Sequence, residues 1–234
     1  MTINVRRPIL IIVGALAAAC LGVNTARAVT DTAAPSPAPA KGEPPAGQYQ
    51  LDKSHASLQL RVNHLGFSTY TTRFSRFDSE LTFDPARLTA ARVVTTIDSD
   101  SLEMDKAPTQ CLDIVKGPQF LDTAKYPKII FRSERVRMTG PKSMEISGTL
   151  ELHGLTRPIV LTAAYNGGYP GMPVMDPHAR IGFSAHGSFK RSDFGMGYGI
   201  PAPGSSMGVG DLIDVSIEAE FTGPPLAPAS DHSH

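Results

Sequence analysis

Ser184 is the residue best suited to nucleophilic catalysis, and it lies in segment 182–187, GFSAHG. The segment is close to the G-x-S-x-G motif, in which a sharp strand-to-helix turn exposes a nucleophilic serine. His186 replaces the second glycine of that motif, and the alternating apolar residues around it predict a continuous strand. We therefore predict that the protein is not an enzyme. An acyl hydrolase that loses activity on Ser184→Ala is the alternative.

Four other candidate residues, all histidines, are too scattered to predict a metal site. They fall on separate predicted strands or strand ends, and the chain has neither an H-E-x-x-H pair nor a C-x-x-C pair. We predict no metal site and expect these histidines at the surface or in loops. They are His55, His64, His153 and His186. Further along, His232 and His234 form a short tract that could bind copper or zinc weakly.

The chain has two cysteines, Cys20 and Cys111. Cys20 lies in an N-terminal segment that we predict to be removed, which leaves Cys111 without a partner for an internal disulfide. A cysteine of this kind commonly packs as a small buried apolar residue, and we expect that here. A reactive thiol is the alternative.

Strands must position these residues, because apolar and polar side chains alternate along much of the chain. Ile146, Gly148, Leu150 and Leu152 fall on one face of an extended segment, and residues 159–163 resume the same alternation. This pattern is typical of a half-buried antiparallel hairpin. The same period of two recurs around residues 58–62, 81–83, 93–97, 129–131, 181–189 and 213–221.

About eight such strands follow one another, which predicts an all-β fold, either a closed antiparallel barrel or a sandwich. Residues 101–121 depart from the pattern, with apolar residues three and four apart, and we predict one or two short helices there. A barrel of this size can fill its interior with side chains or hold one small ligand. The pattern alone leaves both open.

The first 28 residues have the anatomy of an export signal. Arg6 and Arg7 precede an uncharged apolar core at 9–23, and Ala26 and Ala28 supply the small residues of a signal-peptidase site. We predict a signal peptide over 1–28. Lipoprotein processing at Cys20 is the alternative.

Composition divides the rest of the chain into three parts. Residues 29–47 are rich in Pro and Ala and predict a flexible linker, 48–223 form one folded domain, and 224–234 form a disordered tail that contains histidines. The 22 basic and 22 acidic side chains balance without a basic stripe. Nucleic acid is therefore excluded as an expected partner.

Five short segments follow one another along the chain and carry a resemblance to a known family. They are LTFDP at Leu81, IDSDSLEMD at Ile97, FLDTAKYPKIIF at Phe120, GTLELHGLTRPIVL at Gly148 and FKRSDFGM at Phe189. Together with YQLDKSHASLQLRVNHLGFS at Tyr49 and VGDLIDVSIEAEF at Val209, they resemble the landmarks of the YceI-like family of exported lipid-binding proteins. The resemblance covers most of the chain beyond the predicted linker.

The resemblance implies an eight-stranded antiparallel, lipocalin-like barrel whose apolar tunnel takes a polyisoprenoid or similar long-chain lipid, such as a quinone side chain. It implies a periplasmic protein that transports or stores this lipid as a ligand, without a cofactor and without catalysis. Some family members are encoded or fused with membrane cytochromes, so a membrane cytochrome is an expected partner. A lipid-free module that docks on such a cytochrome complex is the alternative function, and a homodimer is left open.

Ten apolar residues on apolar faces or flanking loops are candidates for the tunnel wall, and ordinary core packing is the alternative for each. They are Leu60, Val62, Phe67, Phe74, Phe120, Phe131, Leu150, Leu161, Phe183 and Phe194. Arg191, Ser192 and Asp193 are candidate contacts for a lipid head group at the tunnel end. A simple turn is the alternative for this segment.

Overall fold

The computed structural model describes residues 42–226 as ten strands and one α-helix. The strands are β1 (Gly47–His64), β2 (Ser68–Phe74), β3 (Phe77–Phe83), β4 (Arg92–Asp98), β5 (Leu102–Glu103), β6 (Lys128–Met138), β7 (Ser143–Leu152), β8 (Leu155–Tyr169), β9 (His178–Lys190) and β10 (Val209–Pro225). The helix, α1, spans Thr109–Lys116, within the segment where the sequence predicts one. Short 3₁₀ helices span Leu88–Ala90, Ser99–Ser101 and Arg191–Phe194.

Eight of these strands close into an antiparallel barrel in the order β1, β3, β4, β6, β7, β8, β9, β10. Pairing of β10 with β1, for example Val215 opposite Leu60, closes the cylinder. The prediction of an eight-stranded antiparallel barrel is confirmed, and this closure distinguishes the barrel from the alternative sandwich. Closure also pairs the sheet edges that an open sheet would leave exposed.

The strand β1 changes its partner halfway along its length. Its first residues, 47–50, pair with β3, whereas residues 58–64 pair with β2. The short strands β2 and β5 therefore extend the wall at one end of the barrel. We call this the upper end, and it carries α1 and loop 191–208. The lower end carries loops 84–91, 139–142 and 170–177.

Alternation along the strands separates the inside of the barrel from its outside. On β10, Ile213, Val215 and Ile217 line the interior, whereas Asp214 and Ser216 are exposed. The period of two arises because successive side chains of a strand point to opposite faces of the sheet. The apolar residues predicted from the sequence on this strand therefore form one continuous inner face.

The connection between β5 and β6 is fastened to the upper end by a few polar contacts. The Ser99 hydroxyl donates to the Tyr126 carbonyl at 2.7 Å, and Lys116 Nζ donates to the Asp100 carbonyl at 2.6 Å. Leu112 and Val115 pack against the main core cluster, but α1 contains no fully buried residue. The helix therefore lies across the end of the barrel rather than inside it.

The strands extend slightly beyond the predicted domain of 48–223, since β1 begins at Gly47 and β10 ends at Pro225. The predicted signal peptide, most of the predicted linker and residues 227–234 of the predicted tail lie outside the described residues. Between residues 42 and 226, no helix has the length and apolarity that crossing a membrane requires.

Candidate functional site

The barrel encloses a cavity of about 750 Å³. This volume falls in the range of roughly 300–1,000 Å³ that is usual for small-molecule sites. Inward-facing side chains from all ten strands contribute to its wall, and most of them are aliphatic or aromatic. The barrel thus has room for a ligand, a point that the sequence pattern leaves open.

The structure places eight of the ten predicted lining residues on the wall of this cavity. They are Leu60, Val62, Phe74, Phe120, Phe131, Leu150, Leu161 and Phe183. Their contact with a ligand remains a prediction.

Phe67 and Phe194 lie away from the cavity wall. Phe67 is 81% exposed at the tip of the β1–β2 hairpin, where Leu65 and Gly66 adopt left-handed backbone conformations and turn the chain outward. Phe194 is buried at the end of a 3₁₀ helix, and its ring packs edge-on against Phe189 at a centroid distance of 5.4 Å. The positions of both side chains depend on the conformation of a turn or loop, which alternation along strands does not encode.

Several lining residues were absent from the predicted set. Ile213, Val215 and Ile217 continue the alternation of β10, so the strand pattern already contained the signal for them. Met196 and Tyr198 come from loop 191–208, where no period exists that could have indicated them.

An aromatic cluster closes the lower end of the cavity. Tyr49 and Phe83 are almost fully buried there, with ring centroids 5.6 Å apart, and Phe183 packs edge-on against Phe83 at 6.1 Å. The Tyr49 hydroxyl donates to the Pro45 carbonyl at 2.6 Å, and burial raises the pKa of Tyr49 to about 12. The phenol therefore stays neutral, and packed aromatic rings occupy the lower end of the barrel.

The upper end of the cavity is open to solvent. Eight residues that line the cavity are exposed, and seven of them lie at this end. They are His64, Asp105, Lys106, Pro108, Cys111, Ile114 and Tyr198, while the eighth, Arg92, lies at the lower end. The opening is framed by the β1–β2 hairpin, by residues 105–108 with α1, and by loop 191–208. We call this opening the mouth.

The few polar side chains inside the barrel bond to one another or to the backbone. The Ser79 and Thr95 hydroxyls are 2.9 Å apart, and the Ser133 hydroxyl accepts from the Val93 amide at 2.8 Å. The Thr72 hydroxyl donates to the Glu103 carbonyl. Across residues 42–226, every buried side-chain polar atom has a hydrogen-bond partner. The interior is therefore suited to an apolar chain rather than to a polar substrate.

Arg191 lies at the mouth, but it is buried and its side chain is largely committed to the backbone. Its guanidinium donates four hydrogen bonds of 2.6–2.9 Å, to carbonyl oxygens of residues 196, 198, 209 and 210. The guanidinium carbon also lies 5.3 Å from the centroid of the Phe120 ring. Burial lowers the pKa of Arg191, and the Asp211 carboxylate opposes that shift. Arg191 therefore fastens loop 191–208 to the start of β10.

The other two predicted head-group residues lie outside the cavity wall. Ser192 donates its amide and its hydroxyl to the Asp211 carboxylate at 2.9 and 2.8 Å. Asp193 is exposed, and both residues belong to the 3₁₀ helix Arg191–Phe194, which is followed by Gly195 with a φ of 78°. The segment forms the turn that was the alternative interpretation, and a contact with a lipid head group remains a prediction.

Ser184 faces the outside of the barrel on β9. Its hydroxyl donates to the Glu218 carboxylate at 2.6 Å and accepts from the Asn166 amide at 2.9 Å. Within the described part of the chain, none of its hydrogen bonds involves a histidine, and β9 continues past it to Lys190. The strand-to-helix turn of a nucleophile elbow is therefore missing at Ser184.

One histidine contributes to a cluster of metal-ligating types on the outer surface. The ligand atoms of Asp52, His55 and Glu220 all lie within 4.8 Å of one another, where β1 bulges between Leu51 and Ala56. Both oxygens of the Asp52 carboxylate already accept hydrogen bonds, from Ser54, His55 and Arg180. The bond from Ser54 contributes most to holding the pKa of Asp52 well below its usual range. We interpret the cluster as a surface network of hydrogen bonds and ion pairs.

The structure contradicts the expectation for Cys111, whereas His153 lies in a turn, as expected. Cys111 is exposed on α1 at the mouth, so the expectation of a buried cysteine is wrong. The helix presents this side chain to the opening because α1 lies across the barrel end.

His153 is half-buried in the β7–β8 turn. Its Nδ1 lies 2.9 Å from the Phe194 carbonyl oxygen, and its ring packs against Tyr126. It anchors the β7–β8 turn beside loop 191–208.

Comparison with known proteins gives matches that agree with one another. The family profile described as YceI-like domain matches residues 49–221. A UPF0312 protein of Vibrio cholerae is 33% identical over 179 residues, which cover 75% of this chain and 87% of that protein.

Two solved structures share the fold. BcnA of Burkholderia cenocepacia has a TM-score of 0.61 at 20% identity, covering 73% of this chain and 98% of that one. A polyisoprenoid binding domain from Saccharophagus degradans, implicated in plant cell wall breakdown, has a TM-score of 0.54 at 16% identity, covering 75% of this chain and 98% of that one.

Proposed function

The chain belongs to the YceI-like family, and on that premise we propose that its barrel binds a polyisoprenoid or similar long-chain lipid without catalysis. The observation that carries the proposal is the apolar cavity of about 750 Å³, with packed aromatic rings at its lower end and exposed lining residues concentrated at its mouth. A lipid chain in this cavity would remove its CH₂ groups from water at roughly 0.8 kcal/mol each. A structural neighbour described as a polyisoprenoid binding domain supports this class of ligand.

The proposal includes the predicted export. In the periplasm, a soluble barrel that encloses an apolar chain would solve a transport or storage problem, because such a chain is poorly soluble in water. A quinone side chain is one candidate for this ligand. The alternative function, a lipid-free module that docks on a membrane cytochrome complex, requires no ligand in the cavity.

The first experiment is organic extraction of the protein purified from its own host, followed by mass spectrometry of the extract. The proposal predicts about one enriched long-chain lipid per chain, and the mass of that lipid would identify the cargo. An extract without an enriched lipid would contradict the carrier function and favour the cytochrome-docking module.

A pair of variants links the lipid to the cavity. Ala185 lines the cavity on β9, whereas Ser216 faces solvent on the neighbouring strand. Ala185→Phe should abolish lipid uptake because the ring would occupy the cavity, and Ser216→Phe should leave uptake unchanged. Equal lipid content in the two purified variants would show that the lipid binds elsewhere.

A further inference from the structure

Exposed apolar side chains are concentrated at the end of the barrel where the cavity opens. Residues 42–226 expose nine large apolar side chains, and six of them lie at the upper end. These six are Phe67, Ile114, Leu155, Tyr198, Met207 and Leu212. Only Val174 and Met175 lie at the lower end, and Val160 lies on β8 between the two ends. Such an uneven distribution marks an interaction surface more often than scattered exposure does.

Four of the six side chains surround the mouth, and we call them the collar: Phe67, Ile114, Tyr198 and Met207. Their exposures are 81%, 52%, 54% and 68%. Each belongs to one of the three elements that frame the opening, namely the β1–β2 hairpin, α1 and loop 191–208.

The elements that carry the collar contact one another. The Leu65 amide in the β1–β2 hairpin donates to the Gly208 carbonyl at 2.9 Å, and the Val209 amide donates to the Gly199 carbonyl at 2.9 Å. The ring of Tyr198 packs edge-on against Phe120, beyond α1, with centroids 5.7 Å apart. The collar is therefore held in place by the folded rim.

The collar is continuous with the interior of the barrel. Ile114 and Tyr198 are more than half exposed, and both also line the cavity. An apolar chain could therefore move from the outside of the protein into the cavity along apolar side chains. The exposed carboxylate and ammonium groups that line the mouth, on Asp105 and Lys106, have opposite signs. These two exposed charges balance, and the buried Arg191 guanidinium adds one positive charge at the mouth.

We propose that the collar docks on the surface of a lipid bilayer, with Phe67 and Met207 inserted among the lipids and the mouth facing the membrane. This inference rests on the proposed function, because a long-chain lipid is dissolved in a bilayer and must leave it to enter the cavity. A bilayer fits better than a protein partner, since the collar surrounds an opening instead of forming one continuous face. Docking would shield the lipid from water during transfer, through apolar contact rather than charge.

The test is flotation of the protein with vesicles of pure phosphatidylcholine. The protein is purified from its own host with Cys20→Ser, which removes lipoprotein processing as a second source of membrane binding. The double variant Phe67→Ser/Met207→Ser should lower vesicle affinity by about tenfold or more, because two large apolar side chains are lost from the contact. Val174→Ser/Met175→Ser, at the lower end, is the matched control and should bind like the parent protein.

Two outcomes would overturn docking on a bilayer: a parent protein that stays with the buffer, or a collar variant that floats as well as the control. Analytical ultracentrifugation identifies one alternative. If the parent protein sediments as a dimer and the collar variant as a monomer, while both float equally well, the collar joins two copies of the chain and docking on a bilayer is overturned.

Ligand binding is measured separately, with cis-parinaric acid in vesicle-free buffer, after bound lipid has been extracted from the parent protein and the collar variant. The collar variant should bind this probe like the parent protein, because its cavity wall is unchanged. A parent protein that fails to bind any long-chain probe would contradict the proposed function, whatever the flotation shows. Normal probe binding without flotation would contradict only the docking inference.

Discussion

The role of a single charged residue depends on its partners, as Arg191 illustrates. In the sequence, its charge within FKRSDFGM suggested a donor for a lipid head group. In the fold, four of its five N–H donors bond to backbone carbonyls of loop 191–208 and β10. The sequence could not indicate this, because the carbonyl partners come from a loop without periodicity. Arg191 sets the shape of the rim around the mouth, and its contact with a lipid head group remains a prediction.

We expect Arg191→Lys to lower the free energy of unfolding by about 3 kcal/mol or more, because an ammonium cannot replace a planar set of donors to several buried carbonyls. Urea denaturation monitored by circular dichroism measures the change. Arg73→Lys is the control, since Arg73 forms an exposed ion pair with Glu103 and should change stability little. Similar shifts in the two variants would contradict the structural role of Arg191.

At the scale of elements, alternation predicted the strands well because each is apolar on the inner face and polar on the outer face. The inner face of β7, Ile146, Gly148, Leu150 and Leu152, was assigned correctly, and all but the glycine line the cavity. The change of partner along β1 was not predicted, because pairing between strands distant in sequence leaves no local signal. Phe67 was placed on the wall for a different reason: it lies at a hairpin tip, and alternation along strands does not encode the conformation of a turn.

Gly148 shows how a strand residue without a side chain permits close approach. A Cβ at this position would lie 2.9 Å from Phe131 Cε2 and closer still to the Arg132 carbonyl oxygen. We expect Gly148→Ala to destabilise the protein by about 1–3 kcal/mol, because β6 must shift to accommodate the methyl group. Thermal or urea denaturation measures the loss.

Gly182 on β9 provides the matched control for this substitution. The nearest atom to a Cβ built there is Asn166 Cβ at 3.8 Å, an ordinary van der Waals distance. Gly182→Ala should therefore change stability by no more than about 0.5 kcal/mol. If both variants are equally stable, the barrel wall at β6 and β7 is more compliant than its geometry indicates.

For the whole molecule, the sequence predicted a closed barrel more readily than it predicted the interior of that barrel. Apolar faces decide that strands must pack, but the same residue types can form a filled core or a ligand cavity. The residues near Tyr49 and Phe83 do fill the lower end, whereas those near Leu60 and Val215 line open space. The difference arises from how eight strands and three upper loops meet, which no single segment encodes.

A cavity that serves a ligand should make the stability of the whole protein depend on that ligand. A ligand that binds only the folded state at 100 times its Kd adds about 2.7 kcal/mol of stability. For a domain of this size, each kcal/mol shifts Tm by roughly 2–4 °C, so lipid should raise Tm by about 5–11 °C. Calorimetry of delipidated protein, before and after re-addition of the extracted lipid, measures this shift.

Ala185→Phe should show no shift in Tm and Ser216→Phe the full shift, because only the first substitution enters the cavity. A shift of equal size in both variants would place the stabilising lipid on the outer surface of the barrel.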